Sequence, residues 1–265
     1  MRVVRTVADV REALREPRTR GERVGLVPTM GAYHAGHLAL MRAAREASDV
    51  VVVSLFVNPA QFDAAADLAR YPRDEAADLR AAEAEGVDLV FAPSPDELYP
   101  AGFDTWVEPG ELATTLEGAA RPGHFRGVAT VCAKLFSIVG PSVAYFGQKD
   151  AQQVALVRRM VEDLNLPLEV RVVPTVRDPD GLALSSRNVF LTAAERASAL
   201  ALPRALQAGA LAYRSGTDAI AAATELLAAE PGLTVDYVAV ASFDRPTLVA
   251  AVRVGATRLI DNVGL

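Results

Sequence analysis

Cysteine and lysine are almost missing from this chain of 265 residues. The one cysteine, Cys132, has no partner for an internal disulfide and excludes a zinc site built from several thiolates, so folding rests on burial. A basic surplus is missing too. The net charge of −6 and pI of about 5.2 argue against a nucleic-acid-binding face, whose footprint is a basic stripe that displaces counterions. No apolar run reaches the roughly 18 to 20 residues of a membrane span, and residues 1–10 lack the basic-then-apolar layout of a signal peptide. The expectation is a cytoplasmic protein with neither membrane nor nucleic-acid partners. Two familiar signatures are also absent: the G-x-G-x-x-G turn of dehydrogenases and the G-x-S-x-G elbow of serine hydrolases.

What is present is apolar enough to fold. Hydrophobic residues make up 51% and charged residues 23%, interspersed rather than in blocks, which excludes bulk disorder. The length lies near the limit of a single core, and two lobes fit it better than one. Short apolar runs at 23–28, 50–57, 88–92, 142–146 and 168–174 read as strands, with helices at 38–47, 74–85, 128–139 and 151–164 between them. A further strand is expected at 105–107. Strands separated by helices imply right-handed βαβ units, hence an α/β fold with a doubly wound parallel sheet over residues 1–175. The capping box Thr192 to Glu195 then opens a new region, helical to about residue 230, with strands at 234–241, 250–254 and 257–261. Residues 176–265 therefore read as a second, smaller α+β domain.

Ligands bind beyond the carboxyl ends of strands in such sheets, so the post-strand segments carry the chemistry. After the first strand, Met30, Gly31, His34, Gly36 and His37 form a glycine-rich turn into a helix, and two of the three histidines sit three apart on one helical face. Free amides, the helix dipole and two imidazoles suit phosphate oxygens; a metal pair or satisfied surface histidines are the alternatives. The second strand ends at Asn58-Pro-Ala-Gln61, whose amides orient hydroxyls and carboxylates or simply make a polar turn. Arg121 to Gly127 collects two arginines and a histidine, a candidate site for an anionic substrate end or a surface loop. Of 27 basic residues only Lys134 and Lys149 are lysines, and Lys149 in Gly147-Gln-Lys-Asp150 stands at a helix start, where a cation opposes the dipole unless something anionic offsets it. Gln153 follows one turn later. Ser185, Ser186 and Arg187 supply hydroxyls and a guanidinium for an oxyanion; Thr192 already caps the next helix, so the serines are not needed as caps. The acidic start of the 74–85 helix, Asp74, Glu75 and Asp78, reads first as a complement to the dipole and second as metal ligands.

The ordered set P-T-M-G-x-x-H-x-G-H, N-P-x-Q-F, Y-P-R, R-P-G-H-F-x-G, G-Q-K-D-x-Q-Q and D-G-L-A-L-S-S-R-N strongly resembles the pantoate–β-alanine ligase family, over nearly the whole chain. The resemblance implies the nucleotidylyltransferase superfamily, an N-terminal Rossmann-like domain, a smaller C-terminal domain acting as a lid, a homodimer and a requirement for Mg²⁺. It implies two steps: pantoate and ATP give pantoyl adenylate and pyrophosphate, then β-alanine displaces AMP. Position by position it implies ATP contacts at Met30, Gly31, His34, Gly36, His37, Gly147, Lys149, Asp150, Val176, Leu184, Ser185, Ser186 and Arg187. His37 would be the proton donor, and His34, Lys149 and Arg187 would share the catalytic work. Gln61 and Gln153 match pantoate-binding glutamines, Gln61 also lying near β-alanine. Where the family often carries a carboxylate pair, this chain has Ala77 and Asp78, which leaves Asp78 as the metal candidate. Many relatives also run longer at the C-terminus, so the lid is expected to lack an element.

Chemistry supports the same reading. A carboxylate is already ionised at pH 7, so its attack on the α-phosphorus needs positioning and charge stabilisation more than a base. Two rival readings remain at this point: an adenylyltransferase that leaves AMP on its product, and a nucleotide-binding module without catalysis.

Overall fold

A computed structural model describes residues 1–63 and 65–265. By compactness the chain divides into two units: Met1–Gly147 with Gln153–Val173, and Gln148–Gln152 with Pro174–Leu265.

The first unit is built on six parallel strands, β1 (Arg2–Val4), β2 (Val24–Thr29), β3 (Val50–Leu55), β4 (Leu89–Phe91), β5 (Val143–Gly147) and β6 (Glu169–Val173), in the order β1-β4-β3-β2-β5-β6. Alternation explains why these runs are apolar on both faces. Leu26, Val52, Leu89, Phe91, Ala144 and Phe146 join one core, with Phe125, Leu135 and Phe136 of helix His124–Val139. Val27, Val51, Val53, Val90, Val143 and Tyr145 join the other, with Met41 and Ala44 of helix Ala35–Ala47 and Ala82 of helix Glu75–Ala84. Successive side chains of a strand point to opposite faces, so a sheet covered on both sides needs continuous apolar runs rather than alternating ones. This is the doubly wound parallel sheet expected from the sequence. The strand order reverses at β2, which pairs with β3 on one side and β5 on the other. That reversal is the switch point at whose carboxyl edge such sheets bind ligands.

Two expectations change. Residues 105–107 form no strand: the Val107 amide donates to Thr130 Oγ1 at 3.1 Å, and Trp106 packs against Tyr99 and Phe103. Aromatic packing replaces a ladder there. The three-residue edge strand β1 is an addition; it pairs only with β4 and is too short to leave a periodic signal.

In the second unit, β7 (Leu233–Ser242), β8 (Pro246–Val254) and β9 (Thr257–Gly264) form an antiparallel sheet in the order β7-β8-β9. Leu248, Ala250 and Val252 of the central strand pack against Leu202 and Leu206 of helix Ala201–Arg214 and Leu227 of helix Ala219–Ala228. The Thr192 capping box is present, with Glu195 reaching back to the Thr192 amide at 2.8 Å.

Candidate active site

The turn after β2 is shaped by two left-handed residues, Gly31 at φ +85° and Ala32 at φ +53°. Only glycine suits the first position: a Cβ there would stand 2.7 Å from Asp78 Oδ2 and 2.7 Å from Leu55 Cδ1. Asp78, 4% exposed, holds this turn in place. Its Oδ2 accepts the Ala32 amide at 2.9 Å and its Oδ1 the Tyr33 amide at 2.8 Å. Burial pushes the Asp78 carboxyl up, and the amides of Tyr33 and Ala32 pull it back only in part. Burial likewise raises the Tyr33 phenol, whose ring lies 5.4 Å from that of His37.

Beyond this clamp the helix starts at Ala35, earlier than position 38, because the histidines cap it themselves. His34 Nδ1 accepts the Gly36 amide at 3.1 Å, and His37 Nδ1 accepts the His34 amide at 3.3 Å. The rings lie 4.2 Å apart. An accepting Nδ1 places the proton of a neutral imidazole on Nε2. Two fixed imidazoles at a helix start beside the switch point suit phosphate oxygens.

A second constellation surrounds Gln61, in the short turn Pro59–Gln61 after β3. Asn58, 1% exposed, donates through Nδ2 to Gln61 Oε1 at 2.9 Å and to the Gly127 carbonyl at 3.1 Å. Its Oδ1 accepts from the Tyr99 hydroxyl at 2.9 Å and from the Ala60 amide at 3.3 Å. Burial raises the Tyr99 phenol, which keeps its proton for this bond. The Gln61 carbonyl accepts from His124 Nδ1 at 2.8 Å and Arg121 Nη2 at 3.3 Å. Gly127 must be glycine, since a Cβ would lie 2.2 Å from the Ala60 carbonyl oxygen. The Arg121 to Gly127 segment thus acts as scaffolding for Gln61. Its other arginine, Arg126, pairs with Glu108 at 2.9 Å and stacks over Trp106. Gln153 is half-buried near the start of helix Ala151–Asp163.

β5 ends at Gly147, and the short turn Gln148–Asp150 that follows carries Lys149, 20% exposed, with Nζ 3.6 Å from Asp150 Oδ1. This turn groups with the second unit. There a small hairpin brings Val176 and Leu184 together, the Leu184 amide donating to the Val176 carbonyl at 3.0 Å. Ser185 does serve as a cap: its Oγ accepts the Arg187 amide at 3.3 Å and starts the turn Ser186–Phe190, so Thr192 does not make it redundant. The lone thiol takes no part, because full burial pushes Cys132 up to about 12 and keeps it protonated.

The family model described as Pantoate-beta-alanine ligase matches residues 2–264. The chain belongs to the pantoate–β-alanine ligase family. It is 52% identical to a pantothenate synthetase of Acidobacterium capsulatum, over 99% of this chain and 96% of that one. With a pantothenate synthetase of Roseiflexus castenholzii the identity is 53%, over 99% and 98%. The crystal structure of the Thermus thermophilus pantothenate synthetase superposes at a TM-score of 0.95, with 48% identity and coverage of 100% and 99%. That of the Francisella tularensis pantoate–β-alanine ligase, complexed with β-γ ATP and β-alanine, gives 0.87, with 34% identity and coverage of 100% and 97%.

Within this ligase family, sequence reasoning had no signal for Asp78 as the clamp of the histidine turn or for Asn58 as the holder of Gln61. Asp78 acts across 46 residues, and Asn58, although near Gln61 in sequence, is fixed by Tyr99 and Gly127 from distant segments. The metal expectation for Asp78 gains no support. Both of its oxygens are taken by amides, and among the described residues no group of three or more His, Cys, Asp or Glu is placed to hold a metal ion. A protein-built Mg²⁺ cage does not fit these residues.

Proposed function

We propose that the chain is an AMP-forming ligase that condenses pantoate with β-alanine to pantothenate. In the first step the pantoate carboxylate attacks the α-phosphorus of ATP, forming the acyl–phosphate bond and breaking the α–β bridge to release pyrophosphate. In the second, the β-alanine amine attacks the adenylate carbonyl; the C–N bond forms, AMP leaves with the electron pair, and the amine gives up a proton. The observation that carries this reading is the family match along residues 2–264, joined to the histidine capping box at the switch point.

His34 and His37 donate through Nε2 to the phosphates, His37 giving a proton to the leaving group. Lys149 and Arg187 stabilise negative charge as pyrophosphate departs. Met30, Gly31, Gly36, Gly147, Asp150, Val176, Leu184, Ser185 and Ser186 complete the nucleotide contacts. Gln61 and Gln153 hold pantoate, and Gln61 also serves β-alanine; the Asn58 bond commits Oε1 of Gln61 and leaves its Nε2 donors for a ligand. Mg²⁺ belongs to this proposal as a companion of the triphosphate, which commonly supplies several of its ligands. Homodimerisation and a cytoplasmic location rest on the family resemblance, and no helix of the described residues is long and apolar enough to cross a membrane.

The test is pantoate-dependent exchange of labelled pyrophosphate into ATP without β-alanine, followed by release of free AMP when β-alanine is added. Exchange and stoichiometric AMP are expected. Absence of exchange would remove the adenylate, and AMP retained on the product would point to an adenylyltransferase.

A further inference from the structure

The turn that carries Lys149 is tied to the last strand of the chain. Asn262 of β9, 6% exposed, donates through Nδ2 to the carbonyl of Gln148 at 2.9 Å and to that of Lys149 at 2.9 Å. A side-chain amide has two N–H donors, and here one nitrogen serves both carbonyls, so the backbone on either side of the lysine is pinned. The neighbouring residue works on a second segment. Asp261 accepts from Arg177 Nη1 at 2.6 Å and Nη2 at 3.0 Å, a bidentate pair, and its Oδ1 also accepts the Asn262 amide at 2.8 Å. Arg177 in turn donates to the Gly181 carbonyl at 3.2 Å, within the hairpin that precedes Leu184 to Arg187. Adjacent strand residues point to opposite faces, which lets one dipeptide reach two segments.

We propose that Asn262 is the positioning residue for Lys149: it fixes the lysine's backbone so that a flexible ammonium starts from one place. The proposal rests on the assignment of Lys149 to the ATP phosphates. A lysine side chain has several freely rotating bonds, and its own ion pair with Asp150 is long and partly exposed, so neither holds the ammonium. Anchoring the main chain is the remaining means. Misplacement of a catalytic group by about 1 Å costs on the order of 10²-fold in rate, so a loosened anchor has a readable effect.

The experiment measures pyrophosphate exchange in the full chain, as wild type, Asn262→Ala, Lys149→Ala and the double variant, with hydrogen exchange of the 148–152 amides alongside. Asn262→Ala is expected to lower exchange about tenfold or more while the KM for pantoate holds. In the Lys149→Ala background the same change should add less than about twofold, because residues acting as a unit are not additive. The 148–152 amides should exchange faster with β8 and β9 still protected. Equal losses in both backgrounds, or wild-type exchange in Asn262→Ala, would overturn the proposal. If Asn262→Ala does not fold, Asn262→Leu, which keeps the size of the side chain but offers neither carbonyl a donor, is read by the same criteria; failure of both to fold would assign Asn262 to the fold instead. Full exchange activity in Lys149→Ala alone would be a separate result, withdrawing the lysine from the phosphates and this proposal with it.

Discussion

Asp78 and Ala32 lie 46 residues apart in sequence, yet the carboxylate accepts the Ala32 amide at 2.9 Å and fixes a left-handed residue just ahead of the histidine pair. The carboxylate is an acceptor in the service of a strained turn. Its second oxygen takes the next amide, so two consecutive N–H groups are bound by one side chain.

Asp78→Asn is therefore expected to cost function more than stability. Asparagine has one carbonyl oxygen and cannot accept both amides, so the turn loses half of its clamp. Exchange of pyrophosphate into ATP should fall about tenfold, on the scale that small misplacement produces. The melting temperature should stay within a few degrees, since the amides only partly offset the burial of the charge. A variant with wild-type exchange would remove Asp78 from the histidine turn.

The same balance sets a pH dependence. The folded-state pKa of Asp78 is raised above its unfolded value. Its contribution to stability is then fully present below the unfolded pKa and lost as pH rises through the folded one. Relative to Asp78→Asn, which does not titrate there, the wild type should be most favoured at the acid end and should decline above the ordinary aspartate range. Paired thermal melts across that range check it, because other groups cancel in the difference. A gap that widens with rising pH would contradict the assignment of burial as the dominant cause.

Lysine is rare in this chain, and Lys149 tests whether the charge or its shape matters. Lys149→Ala should lower adenylate formation by about 10² or more, as loss of a preorganised charge donor does. Lys149→Arg keeps the charge but replaces a compact ammonium with a planar fork, and should still lose about tenfold. Single-turnover release of pyrophosphate separates the two; an arginine variant at the wild-type rate would reduce the role of Lys149 to simple charge.

The parallel sheet was legible because burial on both faces leaves unbroken apolar runs such as that of β3, and the histidine turn because glycines and imidazoles cluster directly after β2. What stayed hidden was contact between distant segments. Nothing near Asn262 marks it as a partner of Lys149, 113 residues away. The charges of the Arg121 to Gly127 cluster are visible in sequence, whereas the partners they find, the Glu108 and Asp63 carboxylates and the Gln61 carbonyl, are not. Composition reports which groups exist; their partners are set by the fold.

Gln61 and Asn58 allow the substrate site to be separated from its support. Gln61→Ala removes a side chain half in contact with solvent and should weaken pantoate while leaving ATP binding as it is. Asn58→Asp should behave differently. It keeps the acceptor that Tyr99 and Ala60 use but sets a carboxylate oxygen against the Gln61 amide oxygen and the Gly127 carbonyl, in a position 1% exposed. A buried acceptor left without its donor costs about 1 to 3 kcal/mol, and a charge costs more. The expected result is a clear loss of stability in urea together with weaker pantoate binding, against a Gln61→Ala variant of near-normal stability. Calorimetric titration with pantoate and with ATP, beside urea melts of each variant, decides the matter: equal stability in both would mean that Asn58 does not hold the Gln61 turn.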